Sequence, residues 1–372
     1  MTPVSTASRQ ESLASIALEF YPDGTLQSIH PLGNGNINDT YLVEVEKDTA
    51  RKFVLQRINQ QVFNRPQSVM DNICQMEAHI TSRLTEKAPE QRWEIPQVLR
   101  TRGGKHHVVD GEGSVWRAIA FIDAAKTFDS LDSTHLAHEV GVGLGTFHNL
   151  IHDLPLDGMV DTLEGFHITP NYLAQYDEVC ASNSIPTDPV AQYCKQFIRD
   201  RRAWAHVLEL AKEQGKLKLQ PIHGDPKVNN VMIDVNTGQA VSLIDLDTIK
   251  PGLIHYDIGD CLRSGCNPLG EETDCFEEVR FDLKLCQAIL TGYSLVARDF
   301  LSVHDYDFLY DSIRLLAFEL GLRFFSDYLN HNQYFKADSD THNLDRAVVQ
   351  FKLVESIEAQ ETDIRDLIDS LR

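Results

Sequence analysis

The chain has 372 residues, of which 42% are hydrophobic, and its formal net charge is −21 at pH 7. A surface this negative repels phosphate backbones and anionic lipid, so we expect neither a nucleic acid nor a membrane as a partner. Seven cysteines form no CxxC pair, and no apolar stretch reaches the roughly 20 residues of a membrane helix. With polar residues over 1–12, these features predict a cytoplasmic protein without a secretory signal.

Strand signals dominate the first third of the chain. A short helix is predicted over residues 11–20 and a longer one over residues 69–84. The predicted strands cover residues 28–30, 40–45, 52–56, 97–99, 106–109 and 115–121. This part of the chain therefore reads as a β-sheet accompanied by one or two helices.

Helical periodicity dominates the rest. Over residues 135–152, apolar side chains recur at spacings of three and four and form one face. Further helices are predicted over residues 191–214, 277–299, 306–330 and 344–370. We therefore predict an α+β protein with a β-rich N-terminal lobe, residues 1–122, and a mainly helical C-terminal lobe, residues 123–372. The hinge between two such lobes is a natural place for a ligand.

The segment that carries chemistry is residues 222–230, Ile-His-Gly-Asp-Pro-Lys-Val-Asn-Asn, followed by a predicted hairpin that ends at Asp245. A hydroxyl that attacks a phosphoryl group needs a carboxylate to take its proton, and Asp225 is placed for that task. Mg²⁺ on ATP prefers oxygen ligands, which Asn230 and Asp245 can supply. Lys227 can offset charge on the moving phosphoryl group. This HxDxxxxN pattern with a following aspartate is the arrangement of kinases.

The predicted nucleotide contacts begin with a glycine-rich loop, in which Gly33, Gly35 and Asn36 could cover the phosphates with backbone N–H groups. Kinases carry a lysine on the strand that follows. Here that position holds Gln56, and Arg57 points to the other face by strand alternation. The expected cation is therefore missing or moved by one residue.

Several neighbouring residues are assigned structural roles. We expect His223 to brace the loop through hydrogen bonds. Asp257 and Arg263 are expected to form a buried polar link that holds the catalytic loop, with sugar contact as the alternative. His148 and His152 are four residues apart, but no third metal ligand accompanies them, so we interpret them as surface histidines of a helix.

Residues 223–230 with Asp245 resemble the aminoglycoside phosphotransferase and choline kinase group. The chain is similar in particular to the N-acetylhexosamine 1-kinases. The blocks that carry this narrower resemblance are residues 35–41, 54–59, 121–127, 166–170, 245–248, 251–260, 319–324, 327–329 and 334–336. The resemblance implies a protein-kinase-like two-lobe fold.

The same resemblance implies an activity and a set of contacts. The implied reaction is ATP- and Mg²⁺-dependent phosphorylation of the anomeric hydroxyl of N-acetylglucosamine or N-acetylgalactosamine, with Asp225 as the base. It places the adenine against the backbone near Phe121 and Asp123. It names Asp260 and Arg323 as sugar contacts, so the expected partner is a small amino sugar derivative.

Two other functions stay open at this stage. A kinase of an amino alcohol or aminoglycoside is motivated by the acidic net charge, although Arg263 and Arg323 argue against a cationic acceptor. A nucleotide-binding pseudokinase is motivated by the missing strand lysine, although Asp225, Asn230 and Asp245 are all intact. The sequence leaves open whether the protein is a monomer or a homodimer.

Overall fold

The computed structural model describes residues 6–33, 37–47, 49–86, 91–183 and 185–372. Two compact units divide the chain, one formed by Met1–Ala124 with Gly158–Leu163 and the other by Ala125–Asp157 with Glu164–Arg372. The functional division into lobes after residue 122 stays a prediction.

Unit 1 contains a five-stranded antiparallel sheet in the order β1-β2-β3-β5-β4. Its elements are α1 (Thr6–Phe20), β1 (Thr25–Pro31), β2 (Asp39–Glu46), β3 (Ala50–Arg57), α2 (Pro66–Glu86), β4 (Val108–Val109) and β5 (Val115–Ala120). Alternate side chains of β3 and β5, among them Phe53, Leu55 and Trp116, pack with Leu13 and Ile16 of α1 in one core. Gln56 of β3 and Arg117 of β5 lie on the opposite face.

One predicted strand of this unit is wrong. Residues 97–99 contribute only a single bridge, from Val98 to Ile119. On either side of this bridge, the backbone N–H of Leu99 donates to the carbonyl of Ala118 and that of Ala120 donates to the carbonyl of Gln97. Pro96 lacks a backbone N–H and limits how far the pairing extends.

Unit 2 is mainly helical and holds two small sheets, β10-β7 and β6-β8-β9. Its elements are β6 (Ala125–Lys126), α3 (Thr134–Ile151), α4 (Thr169–Ser182), α5 (Pro189–Arg201), α6 (Val207–Glu213), β7 (Gln220–Ile222), β8 (Val231–Asp234), β9 (Ala240–Leu243), β10 (Lys250–Gly252), α7 (Ile254–Gly265), α8 (Leu283–Ala297), α9 (Val303–Asp307), α10 (Leu309–Leu329), α11 (His342–Ala359) and α12 (Glu361–Ser370). None of the helices in the described part of the chain has both the length and the apolar character needed to cross a membrane.

Helices α3 and α8 pack backbone against backbone, and glycines make this possible. A Cβ atom added at Gly141 would lie 2.0 Å from the carbonyl oxygen of Ile289. A Cβ added at Gly292 would lie 2.1 Å from the carbonyl oxygen of His138. The predicted helix over residues 135–152 is confirmed, and the ring of its Phe147 packs edge-on against the ring of His223, with centroids 5.4 Å apart.

Other helix predictions were partly wrong at their boundaries. The helix predicted over residues 191–214 breaks at 202–206, where Trp204 turns in to pack against Phe318 with ring centroids 5.0 Å apart. The helix predicted over 344–370 breaks at Gln360, whose side-chain amide donates to the carbonyl of Phe281. The helix predicted from residue 277 begins at 283, because the carboxylate of Asp282 caps its first backbone N–H groups. Helices α4 and α7 were not predicted.

Candidate active site

The predicted catalytic loop joins strand β7 to the β8-β9 hairpin. After Ile222 the chain passes through residues 223–227 into a 3₁₀ turn, Val228–Asn230, and then into β8. Val231 pairs with Leu243, and the N–H of Ile244 donates to the carbonyl of Asn230 at 2.9 Å. This pairing brings the predicted residues Asp225, Asn230 and Asp245 to the same end of the hairpin.

Asp225 and Lys227, both in this loop, form an ion pair. Lys227 Nζ lies 3.1 Å from Asp225 Oδ2, and the two side chains are 38% and 26% exposed. The carboxylate of Asp225, and after it that of Asp245, raises the pKa of Lys227. Lys227 therefore stays charged beside the carboxylate predicted to act as base.

The two predicted metal ligands each show a specific geometry. The side-chain amide of Asn230 donates to the carbonyl of Asp225 at 2.7 Å, which leaves Oδ1 as its remaining ligand atom. Asp245 is exposed and has left-handed backbone angles, φ 64° and ψ 57°. A non-glycine residue pays about 1–2 kcal/mol for that conformation, and such strain often marks functional positions.

These donors suit a divalent cation that arrives with a nucleotide. The described residues hold no group of three His, Cys, Asp or Glu side chains that could bind a metal ion by themselves. Asn230 and Asp245 instead offer two hard oxygen ligands. Mg²⁺ is commonly bound by one or two carboxylates together with waters and substrate phosphates, so this donor set fits.

A buried carboxylate, Asp257 of α7, holds the first half of the loop. It accepts the backbone N–H of His223 at 2.7 Å and that of Gly224 at 2.8 Å. It also contacts Nε2 of His148 at 2.8 Å, and Nδ1 of His148 lies 2.9 Å from the hydroxyl of Tyr293. His148 is 1% exposed, so its interpretation as a surface histidine was wrong.

His223 braces the loop, as expected. Its Nε2 donates to the carbonyl of Ile244 at 3.0 Å, and its Nδ1 accepts the backbone N–H of Asp225 at 3.3 Å. Burial lowers the pKa of His223, which keeps the ring neutral. One nitrogen can then donate while the other accepts, which matches these two contacts.

The carbonyl of Gly224 is held from the other side by His167. Nε2 of His167 lies 2.7 Å from that carbonyl oxygen, and Nδ1 lies 2.9 Å from Glu319 Oε1 on α10. The other carboxylate oxygen of Glu319 accepts the hydroxyl of Thr169 at 2.7 Å. Gly224 itself has φ +89°, and a Cβ there would lie 2.6 Å from the carbonyl oxygen of Thr248. Only glycine fits at this point.

The expected link between Asp257 and Arg263 is wrong. Arg263 Nε donates instead to Asp260 Oδ1 at 2.8 Å, and its Nη1 donates to Glu271. The two residues point in different directions because they are six residues apart on α7, which puts them about 240° apart around the helix. Burial would raise the pKa of Asp260, but Arg263 and then His167 outweigh it and lower that pKa. Asp260 Oδ2 is buried and has no hydrogen-bond partner among the residues described.

Aromatic rings surround the half-buried guanidinium of Arg323 on α10. The ring centroids lie 5.0 Å away for Tyr172, 5.1 Å for Phe166, 5.3 Å for Phe335 and 5.9 Å for Tyr334. Burial disfavours the charge, yet Tyr172, Glu319 and Asp225 together raise the pKa of Arg323. Arg323 is therefore a fixed positive charge within electrostatic reach of Asp225.

In unit 1, Gln56 lies directly opposite Arg117, a buried residue of β5 that the sequence reasoning missed. Arg117 Nε donates to Gln56 Oε1 at 3.0 Å, and Gln56 Nε2 donates to the hydroxyl of Thr40 at 3.1 Å. Arg57 instead pairs with Asp39 in a solvent-exposed ion pair. The strand that has Gln56 where a lysine was expected thus has a buried cation, Arg117, on the neighbouring strand β5.

The remaining predicted nucleotide contacts are also in unit 1. Gly33 has φ +70°, which suits a glycine turn. Phe121 is half-buried and Asp123 is exposed, with its carbonyl accepting a hydrogen bond from Arg92. Gly35 and Asn36 lie outside the described residues.

Comparison with known proteins shows the family of the chain. Residues 28–277, more than half of the chain, match the sequence model described as "Phosphotransferase enzyme family". Among solved structures, the chain is similar to an aminoglycoside phosphotransferase from Alicyclobacillus acidocaldarius subsp. acidocaldarius DSM 446, with a TM-score of 0.64 and 15% identity over 100% of this chain and 98% of that one.

Two further solved structures have similar folds. A microcompartment-associated aminopropanol kinase has a TM-score of 0.60 and 15% identity over 97% of this chain and 99% of that one. Choline kinase from Cryptosporidium parvum Iowa II has a TM-score of 0.56 and 13% identity over 93% of both chains. At such identities the likeness establishes the fold alone, and it confirms the predicted protein-kinase-like fold class.

Proposed function

We propose that this chain, which belongs to the phosphotransferase enzyme family, phosphorylates the anomeric hydroxyl of an N-acetylhexosamine. The coarser function is that of a small-molecule phosphotransferase of the aminoglycoside phosphotransferase and choline kinase group. The proposed donor is ATP with Mg²⁺. The observation that carries this proposal is the assembly of Asp225, Asn230 and Asp245 at one end of the β8-β9 hairpin.

Asp225 acts as the general base in this proposal. Its carboxylate orients the sugar hydroxyl for in-line attack and takes its proton as the sugar oxygen bonds to the γ-phosphorus. The bond from that phosphorus to the bridging oxygen breaks in the same step, and ADP leaves. An anomeric hydroxyl is more acidic than an ordinary alcohol, so an aspartate that is only partly buried is a sufficient base. Lys227 lies 3.1 Å from this carboxylate and stabilises negative charge on the transferred group.

Asn230 Oδ1 and the carboxylate of Asp245 are the proposed metal ligands. When bound, a divalent cation neutralises charge on the nucleotide phosphates and makes the γ-phosphorus a better electrophile. The hydrogen bond from Asn230 to the carbonyl of Asp225 ties the ligand to the base. The proposed nucleotide contacts of unit 1 are Gly33, Gly35, Asn36, Gln56, Phe121 and Asp123.

Asp260 and Arg323 are the proposed acceptor contacts. Asp260 Oδ2 is buried without a hydrogen-bond partner in the described structure, so it can accept a sugar hydroxyl. Arg323 can donate to an acetamido or ring oxygen. Its guanidinium already occupies the space that the aromatic rings enclose, and a quaternary ammonium group would meet a like charge there. This favours a neutral acceptor over a choline-like one.

A kinase of an amino alcohol or aminoglycoside is the second candidate. The net charge of −21 favours it, because an acidic protein attracts cationic substrates. The carboxylates of Asp245 and Glu271 lie within electrostatic reach of Lys227 and could receive an amine at the same loop.

The deciding experiment is Mg²⁺-ATP consumption across a panel of N-acetylglucosamine, N-acetylgalactosamine, other hexoses, choline, homoserine and kanamycin. We expect turnover on an N-acetylhexosamine, with a product phosphorylated at the anomeric carbon. Asp225→Asn is expected to lower kcat by a factor of about 10² to 10⁴, the usual contribution of a general base, without changing the melting temperature. Asp200→Asn is the control, since Asp200 is an exposed residue of α5.

The outcomes separate the candidates. Turnover of an amine without turnover of any sugar would contradict the proposed acceptor but not the proposed role of Asp225 as the base. Tight ATP binding with no turnover on the panel would favour a nucleotide-binding pseudokinase. Full activity of Asp225→Asn would contradict the assignment of the base.

A further inference from the structure

His167 contacts two acceptors at once. The carbonyl of Gly224 lies 2.7 Å from its Nε2, and Glu319 Oε1 lies 2.9 Å from its Nδ1. His167 and Glu319 are 4% and 1% exposed. A neutral imidazole has one N–H and cannot donate to both. Glu319 also accepts the hydroxyl of Thr169, as an ionised carboxylate does. The contacts therefore fit an imidazolium paired with a carboxylate.

The charges around the ring support the same protonation state. Burial alone would lower the pKa of His167, but Glu319, Asp260 and the carbonyl of Gly224 raise it overall. Other titratable groups that face this segment are Tyr256 of α7, with ring centroids 5.5 Å apart, Tyr172 of α4, and Lys250 of β10, which donates to the carbonyl of Phe166 at 3.0 Å.

The contact fixes the backbone that carries the base. The N–H of Gly224 is bound to Asp257 Oδ1 and its carbonyl to His167, so both polar groups of this residue are held by buried side chains. The carbonyl belongs to the peptide that leads directly into Asp225. Rotation of that peptide would leave a buried imidazolium N–H without an acceptor, which costs more than loss of a neutral hydrogen bond.

We propose that His167 is a positioning residue whose imidazolium, paired with Glu319, holds the Gly224 carbonyl and so sets the orientation of Asp225. The inference rests on the proposed role of Asp225. Deprotonation removes one of the two N–H groups, so either the loop or Glu319 loses its donor. Turnover therefore depends on the proton of a residue that does not touch the substrate.

The sign of the pH dependence follows from the direction of the shift. Because the folded protein holds the His167 proton more tightly than the unfolded chain does, this stabilisation is complete below the unfolded pKa of about 6.5. It is lost as the pH rises through the higher folded pKa. Wild-type kcat should show an alkaline fall there. Glu319→Gln should move that fall to lower pH, and His167→Gln should lack it.

The experiment measures kcat and KM against pH for the full chain, using the acceptor that the panel identifies. We expect His167→Gln to lower kcat at least tenfold while changing the KM for ATP less than twofold, because the loop rather than the nucleotide is displaced. His255→Gln is the matched control. His255 is equally buried, but it contacts the carbonyl of Asp305 and belongs to no catalytic contact. Its pH profile should match the wild type.

A second measurement does not depend on turnover. The ¹³C and ¹⁵N shifts of the histidine rings in nucleotide-free protein should show one ring, absent in His167→Gln, that stays protonated well above about pH 6.5. Glu319→Gln should lower the pH midpoint at which this ring loses its proton. This variant still tests the inference if His167→Gln fails to fold. A His167 ring that titrates at or below about 6.5 overturns the inference, as does an unchanged profile in Glu319→Gln. A failed sugar assignment would leave this titration unchanged.

Discussion

Asp257 offers a stringent test of how the catalytic loop is held. Its carboxylate is fully buried and accepts three hydrogen bonds, from the backbone N–H groups of His223 and Gly224 and from Nε2 of His148. The perturbation is Asp257→Asn, which keeps the shape and replaces one acceptor oxygen with an NH₂ group.

The expected cost follows from which oxygen is replaced. Oδ1 accepts one bond and Oδ2 accepts two, so the least costly amide orientation places NH₂ at Oδ1 and loses the bond from Gly224. One buried donor without a partner costs about 1–3 kcal/mol. If this cost favours a displaced loop over the position needed for turnover, kcat falls by about five-fold to 150-fold. The conversion uses about 1.4 kcal/mol for each factor of ten.

The assay combines kcat with the urea midpoint of unfolding. Asp311→Asn is the control, because it makes the same chemical change at a buried carboxylate that pairs with Arg314 instead of the loop. The control should lower the urea midpoint and leave kcat unchanged. Wild-type values of both quantities in Asp257→Asn would refute the reasoning.

Two further predictions concern single contacts. Gly224→Ala should abolish most of the activity, because the added Cβ would lie 2.6 Å from the carbonyl oxygen of Thr248 and residue 224 has a φ of +89°. A Gly224→Ala variant with wild-type kcat would show that this turn is not needed. Gln56→Lys should lower the urea midpoint, because it places a second cation opposite the buried Arg117. The double variant Gln56→Lys with Arg117→Gln should have a higher urea midpoint than Gln56→Lys alone. Additive effects of the two substitutions would contradict the direct contact.

The sequence predicted the parts of the site that depend on local spacing. Asp225 and Asn230 are five residues apart, and a short hairpin brings Asp245 back to them. The proximity of all three residues could therefore be inferred from their order in the chain. The helix α3 was also predictable, because its apolar face follows the helical period.

The contacts that hold the loop could not be predicted in the same way. His167 meets Gly224 across 57 residues and Glu319 across 152, and Gln56 meets Arg117 across 61. Such pairs depend on how whole elements pack, and one sequence carries no periodic signal for them. Burial of His148 was missed for the same reason, since its partner Asp257 is 109 residues away.

Helix α10 carries Glu319 and, one turn later, Arg323. In evolutionary terms, this arrangement separates what must be kept from what can change. The rings around Arg323 come from different segments, Phe166 and Tyr172 near α4 and Tyr334 with Phe335 after α10, so each can be exchanged by a single substitution. If the proposed acceptor site is right, a lineage could change its acceptor through those rings while Glu319 continues to hold His167 against the loop that carries Asp225.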